Sequence, residues 1–371
     1  MMEAGRSGLG NMTDTMSNDL RALNRTVKSM TPSEGAHVSF MEQNGLLQIC
    51  FMTSGCSLGQ EGSCTMCNYG LTDCTEYDAR QELSRILDDQ GDRDIILLGT
   101  SGSILDESEF RRDRLESVID EIRSRELIRT VILEASYRFV DDDALEKLSA
   151  LNDRDVIVEM GLESSNPLVL DRCLCKDVDL ERMKECIHRI KKHGFKVYLN
   201  VIFGSPLLSI EEQKEDARNT IKWANEQGAD GIVLFPLNVK PNTLLWSMEK
   251  SGAYILPSHM EFIDMLSGIE DSSLGKIFLS WTNPDSNTEV FRHMPTGYSP
   301  DVGQLYESFA RTNDPVERHR MLTEFEKGAS GADNPCRDGL KNAVAGQYLK
   351  LMGPRPSSFK KHIDRTEELS K

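Results

Sequence analysis

Three cysteines inside one short stretch constrain this chain more than any other feature. Cys56, Cys64 and Cys67 lie in the run Ser54-Gly55-Cys56-Ser57-Leu58-Gly59-Gln60-Glu61-Gly62-Ser63-Cys64-Thr65-Met66-Cys67-Asn68-Tyr69-Gly70, spaced C-x7-C-x2-C. Three clustered thiolates can hold three irons of a [4Fe–4S] cluster and leave the fourth iron open to another ligand. The apolar stretch before the loop and the glycines within it suit a cluster seated at the end of a first β-strand. A competing reading adds Cys74 as the fourth thiolate of a zinc site. A disulfide framework is disfavoured, because nine cysteines is an odd number in a chain too large to need staples.

From Leu46 to about residue 250, short apolar runs alternate with helical patterns. Strands are predicted at Leu46–Thr53, Asp94–Gly99, Thr130–Ala135, Asp155–Gly161, Lys196–Phe203 and Gly231–Pro236. Helices are predicted at Asp78–Asp89, Phe110–Glu126, Asp141–Leu151, Asp179–Lys192 and Ile210–Glu226. The acidic run Asp141–Asp143 marks a helix N-terminus, and Gly194 stops the helix before it. Strands that barely alternate, separated by helices, mean a parallel sheet covered on both faces. Right-handed crossovers would curl it into an α/β fold, a partial (β/α)6 barrel of the TIM type with a C-terminal cap. Functional residues should then collect at the C-terminal edge of the strands. The division predicted is an N-terminal extension at 1–45, the barrel at 46–257 and a cap region at 258–371. Phe278-Leu279-Ser280-Trp281 is a candidate for one more strand.

A chain of 371 residues can bury a large core. No apolar run reaches the roughly 18–20 residues that a membrane span needs. Met1 to Gly35 shows no apolar stretch of the secretion-signal kind. A cytoplasmic, reducing setting is therefore expected, and it suits an oxygen-sensitive cluster. The formal charge of −17 argues against long phosphate tracks as partners. The densest basic run, His188-Arg189-Ile190-Lys191-Lys192-His193, reads as a helix C-terminus, where cations favour the dipole.

The cysteine motif, placed after the first strand of a six-strand array, resembles that of the radical S-adenosylmethionine (SAM) superfamily. The longer first gap is similar to the branch that contains the Elongator catalytic subunit and the archaeosine-synthase radical SAM subunit. Thr100-Ser101-Gly102-Ser103-Ile104-Leu105-Asp106, Gly161-Leu162-Glu163-Ser164-Ser165-Asn166 and Pro236-Leu237-Asn238-Val239 look like segments of the latter. The resemblance covers roughly residues 45–257. The chain departs from it at Leu133-Glu134-Ala135-Ser136-Tyr137-Arg138-Phe139, which lacks an Arg-Pro after the glutamate. It departs again after Tyr254, which is followed by Ile-Leu-Pro. These departures and the acidic charge disfavour tRNA as substrate.

The resemblance implies a [4Fe–4S] cluster on Cys56, Cys64 and Cys67, and SAM bound at its open iron. One-electron cleavage of SAM would give a 5′-deoxyadenosyl radical that takes hydrogen from an unactivated C–H bond, with the protein binding, orienting and shielding. Ser101, Gly102 and Ser103 would receive the SAM amino group, with glycine allowing close backbone approach. Glu163 would hold the ribose hydroxyls or the ammonium. Phe203 and Gly204 would flank adenine, and Pro236, Leu237 and Asn238 would read its edge. Asn200, a polar residue inside an apolar strand, could contact SAM or be a satisfied core amide. Glu134, near the end of the third predicted strand, is the candidate catalytic group for holding substrate or moving a proton; an ion pair with Arg138 is its structural alternative. Cys173, Cys175, Cys186 and Cys336 are candidates for an auxiliary cluster, with buried free thiols as the competing reading.

The expected substrate is a polar small molecule, nucleoside-like ones included, in a biosynthetic pathway. A flavodoxin or ferredoxin would supply electrons. Three alternatives stand beside this: a tRNA-modifying lyase subunit of the archaeosine type, a sulfur-inserting enzyme with an auxiliary cluster, and a non-catalytic zinc or cluster-binding module.

Overall fold

The computed structural model describes residues 20–25, 38–43, 45–69, 76–91, 93–252, 254, 256–280, 282 and 298–329. Cys74, Trp281 and Cys336 lie outside them. Among the described residues, eight strands follow one another in chain order across one sheet: β1 (Val38–Gln43), β2 (Leu46–Phe51), β3 (Ile95–Thr100), β4 (Thr130–Ala135), β5 (Asp155–Glu163), β6 (Lys196–Phe203), β7 (Gly231–Pro236) and β8 (Ile277–Leu279). From β2 to β8 every pairing is parallel. β1 and β8 each pair with a single neighbour, so the curled sheet is an open half-barrel.

Two strands lie beyond the six expected. β1 runs antiparallel to β2, with Gln43 opposite Leu46. The dipeptide Asn44-Gly45 separates them, and Gly45 takes φ +81°. Asn-Gly between strand-forming runs is a strong hairpin signal, and it went unread because Val38–Gln43 lacks an apolar run. β8 begins one residue before the candidate segment at 278–281 and ends at Leu279.

The helices are α1 (residues 20–25), α2 (Ser57–Gln60), α3 (Ala79–Gln90), α4 (Arg112–Arg123), α5 (Asp142–Leu148), α6 (Leu180–Lys192), α7 (Ile210–Glu226), α8 (Leu244–Lys250), α9 (His259–Ser267), α10 (Asp271–Leu274), α11 (Pro300–Ala310) and α12 (Pro315–Ala329). Their starts are written in the sequence. Asp78, Asp141 and Asp179 cap α3, α5 and α6 with side-chain oxygens, and Ser209 and Glu212 form a capping box on α7. Among the described residues, no helix is long and apolar enough to cross a membrane.

The strands alternate in what they bury. One face, with Ile49, Leu98, Leu133, Val158 and Leu199, meets helices α3–α7 in the main apolar core. Phe262, Ile263, Phe309 and Leu322 of the C-terminal helices belong to the same core. The other face lines the inside of the half-barrel. Leu97, Ile132 and Ile157, with Leu46, Ile95 and Tyr198, fill it near the N-terminal ends of the strands. Two residues further along each strand stand Gly99, Glu134 and Glu159. The inner face therefore turns from apolar to polar towards the end where the cysteine loop sits.

Candidate active site

The cysteine loop leaves β2 and is held by hydrogen bonds to two other segments, residues 173–175 and the start of α8. Cys56 stands at the N-cap position of the single turn α2, without a side-chain capping bond. Cys64 takes a left-handed φ of +59°, a costly conformation that persists only where neighbours enforce it. Its N–H donates to the Cys175 carbonyl (3.2 Å), and Thr65 N–H to the Leu174 carbonyl (2.9 Å). The Thr65 hydroxyl donates to the Cys173 carbonyl (3.0 Å). Thr65's own carbonyl accepts from Leu245 N–H at the start of α8 (3.0 Å). Cys67 N–H donates to the Cys64 carbonyl (3.1 Å), and the Cys67 sulfur accepts from Tyr69 N–H (3.3 Å). All three cysteines stand outside any disulfide and are half-buried.

Two lysines face this loop. Lys176 donates to Glu163 Oε1 at 2.7 Å. Burial alone would lower its pKa, but Glu163 and the thiols of Cys64 and Cys67 outweigh that and hold it raised. Lys240 lies over the Tyr69 ring, 4.0 Å from its centroid. It is likewise held raised against burial by Tyr69, Cys67 and Glu134. The loop thus has two half-buried cations within electrostatic reach of its thiols. Among the described residues no three His, Cys, Asp or Glu side chains gather as a single metal ion would need. A cubane spreads its thiolates over separate irons, and the donors present fit that role.

Glu163 sits at the end of β5, where the ladder to β6 slips between Gly161 and Glu163. It is buried, with φ +67°, and its Oε2 has no hydrogen-bond partner. Gly161 leaves the room: a Cβ there would lie 2.5 Å from Lys176 Nζ and 2.7 Å from Glu163 Oε1. Asn238 Oδ1, Ser205 Oγ and Asn200 Oδ1 are likewise buried without partners. These unpaired oxygens suit a ligand rich in donors, and the ammonium, ribose hydroxyls and adenine amine of SAM are donors.

Ser101, Gly102 and Ser103 follow β3. Gly102 passes so close to the cluster loop that a Cβ would lie 2.9 Å from Cys56 Cβ. Ser103 N–H donates to Glu109 Oε2 (3.0 Å), and Glu109 Oε1 accepts from the Thr53 hydroxyl (2.8 Å). Glu109 therefore ties the β2 and β3 exits together. Burial raises its pKa, opposed by Thr53, Ser103 and Thr100. The backbone at Gly204 is pinned by the Tyr254 hydroxyl, which donates to its carbonyl at 2.6 Å.

One expected contact changes. Phe203 faces the outer core, its ring 5.7 Å from that of Phe262, so the ring cannot flank adenine. Strand alternation puts Ile202 on the inner face instead, packed near Leu237. Leu237 N–H donates to the Phe203 carbonyl (2.8 Å), which leaves Phe203 a backbone role. Pro236 is opposite Phe203 in the ladder.

Glu134 does not pair with Arg138, which donates instead to the Asp177 carboxylate at 2.5 Å. Its neighbour across the ladder is Glu159, a buried carboxylate that the sequence reading missed. Burial raises both pKa values, and neighbouring acids add to it: Glu163 acts on Glu134, against Lys240, while Glu134 and Glu163 act on Glu159, against a hydrogen bond from Asn200. The Glu134 carboxylate lies where a side chain at residue 99 would be, since a Cβ on Gly99 would overlap its Oε2. Cys186 sits in the outer core, its thiol donating to the Met160 sulfur (3.6 Å). Cys173 and Cys175 belong to a separate apolar cluster, and their visible contribution is the two carbonyls that brace the cysteine loop.

The cysteine loop at the C-terminal edge of a parallel half-barrel is the architecture of a SAM-cleaving radical enzyme. The sequence matches the profile of the radical SAM superfamily over residues 50–234, and the chain belongs to that superfamily. Members of the superfamily are enzymes that use a [4Fe–4S] cluster and SAM. Archaeosine synthase subunit beta of Methanosarcina acetivorans is 25% identical over 232 residues, 60% of this chain and 66% of that one. An uncharacterised protein of Methanocaldococcus jannaschii is 24% identical over 243 residues, 61% of this chain and 65% of its own. The chain thus aligns with just under two thirds of each relative's length. A solved structure of Methanocaldococcus infernus Elp3 superposes with a TM-score of 0.49 at 17% identity, covering 73% of this chain and 63% of that one.

Proposed function

We propose that Cys56, Cys64 and Cys67 hold the cluster and that the enzyme takes hydrogen from a polar small molecule seated inside the half-barrel, beneath SAM. The observation that carries this is the acceptor-lined inner face: Glu134, Glu159 and Asn200 stand where a closed barrel would be packed with branched apolar residues. Buried carboxylates are costly without partners, and a substrate bearing amino, amide or hydroxyl donors, nucleosides included, would supply them. When bound, the cluster and SAM supply one-electron cleavage and hydrogen abstraction. The chain's own residues bind and orient. Glu163 holds donor groups of SAM, Ser101, Gly102 and Ser103 and the backbone at Phe203 and Gly204 line its path, and Pro236, Leu237 and Asn238 meet its adenine. Glu134 is placed to hold substrate or to carry a proton at its carboxylate.

The relative in Methanosarcina supports a second reading, a tRNA-modifying subunit of the archaeosine type. It requires tRNA binding that weakens with salt. The deciding experiment is oxygen-free purification, an iron and sulfide count, and addition of dithionite and SAM. About four irons per chain, with 5′-deoxyadenosine formed and both lost in Cys64→Ala, support the first statement. Zinc in place of iron, or an intact cluster that never cleaves SAM, would sink it.

A further inference from the structure

Asn24 lies on α1, outside the matched stretch of the family, yet it is fully buried against the cysteine loop. Its Nδ2 donates to the carbonyls of Gly62 (2.9 Å), Ser63 (3.2 Å) and Cys64 (3.4 Å). Its Oδ1 accepts from Leu244 N–H, in the first turn of α8 (3.3 Å). One side chain therefore joins three segments far apart in sequence. Arg21 donates to Ser63 Oγ at 2.5 Å and Arg25 to the Glu61 carbonyl at 2.7 Å. The fit is close, since a Cβ on Gly62 would lie 2.7 Å from Arg25 Cγ.

We infer that α1 is a strap that fixes the geometry of the cluster loop and that Asn24 is the positioning residue within it. The inference rests on the three cysteines being the cluster ligands. Cys64 is the ligand that needs such support. Its left-handed backbone is held at the N–H by Cys175 and at the carbonyl by Cys67 N–H and Asn24. The adjoining carbonyls of Gly62 and Ser63 have Asn24 as a donor. Without that amide the loop loses the contacts that keep Cys64 turned towards its partners, and a cluster seated there would shed iron. Asn24 acts through the loop backbone, so its effect is on how long the loop holds the cluster.

The test uses the full chain with its cluster reconstituted without oxygen. Two variants are compared with the wild type. Asn24→Leu keeps the volume and removes both hydrogen-bonding groups. Asn24→Asp keeps the acceptor for Leu244 and sets a carboxylate against the loop carbonyls. The readouts are the rate of iron release to a ferrous chelator, the resonance spectrum of the reduced cluster without SAM, and the melting temperature of the metal-free proteins. Both variants should release iron about tenfold faster or more, the worth of roughly one to two buried hydrogen bonds, with an altered spectrum. Iron release within about twofold of wild type in a folded variant, with an unchanged spectrum, would overturn the strap. Asn24→Asp, whose shape is nearly native, decides the matter if Asn24→Leu does not fold. A wild type that binds no cluster would strike the ligand assignment itself, a result visible before any variant is made.

Discussion

Glu134 on β4 and Glu159 on β5 are direct ladder partners, and both stand on the inner face of the half-barrel. Like charges set opposite each other in neighbouring strands destabilise a sheet. Gly99 clears the position beside Glu134, and the Asn200 amide supports Glu159. The pair therefore occupies built space, and burial together with the neighbouring carboxylates favours the protonated form of both acids.

That protonation sets a direction for stability. Burial lifts Glu134 to about 7 and Glu159 to about 8, against 4.5 in ordinary surroundings. The folded state therefore binds protons that the unfolded chain has released. This contribution is fully present below about pH 4.5 and is lost as pH rises towards and through about 8. Chemical unfolding of the metal-free protein should show stability declining across that window. Glu159→Gln should flatten the decline. An equally steep profile in Glu159→Gln would show that other groups set it.

Gly102 is fixed by the closeness of two strand exits. A methyl there would overlap Glu109 Oε2 and press on Cys56 at 2.9 Å from Cβ and 3.0 Å from Cα. The Glu109 carboxyl can swing away, but the backbone of Cys56 cannot. Gly102→Ala should cost roughly 1–3 kcal/mol and lower the iron retained per chain. Denaturant melts of the metal-free form and an iron count check both. Native iron content with native stability would show that the loop yields more readily than its contacts indicate.

Glu163 has one oxygen on Lys176 and one without a partner. If that free oxygen serves SAM, Glu163→Gln should weaken SAM binding roughly tenfold or more, the worth of a charged hydrogen bond. Titration of the reconstituted enzyme with SAM, followed by the resonance of the reduced cluster, measures it. The cluster should remain, because Glu163 ligates nothing. Unchanged affinity would give the free oxygen to substrate.

Much of this arrangement is legible in the chain because local chemistry repeats itself. Apolar runs mark β2 to β7, aspartate caps open α3, α5 and α6, and β6, α7 and β7 begin and end where the pattern changes. The cysteine spacing marks the loop. What escaped was tertiary. Glu159 is written Val-Ile-Val-Glu-Met, and only the register with β4 sets it beside Glu134. Lys176 follows a Cys-Leu-Cys that drew attention to its thiols, whereas the carbonyls of that segment hold the loop. Asn24 is one amide in a polar segment, and its partners lie 38 to 220 residues away. Phe203 stands at a strand end, and one step of alternation sends its ring to the outer core.

Lys176 supplies the last prediction. It lies near Cys64 and Cys67 and is held charged by them and by Glu163. Cluster potentials depend on net charge and burial around the sulfurs. Lys176→Met removes a half-buried positive charge and leaves Glu163 uncompensated, and both changes make the cluster harder to reduce. At an effective dielectric of about 20, one charge several ångströms away shifts the potential on the order of 100 mV. The midpoint should move negative by that order in Lys176→Met and stay near wild type in Lys176→Arg. A redox titration without SAM, read by the signal of the reduced cluster, separates this effect from any change in SAM binding. A potential unmoved in Lys176→Met would mean that solvent screens the lysine from the cluster, and its pairing with Glu163 would then be its whole role.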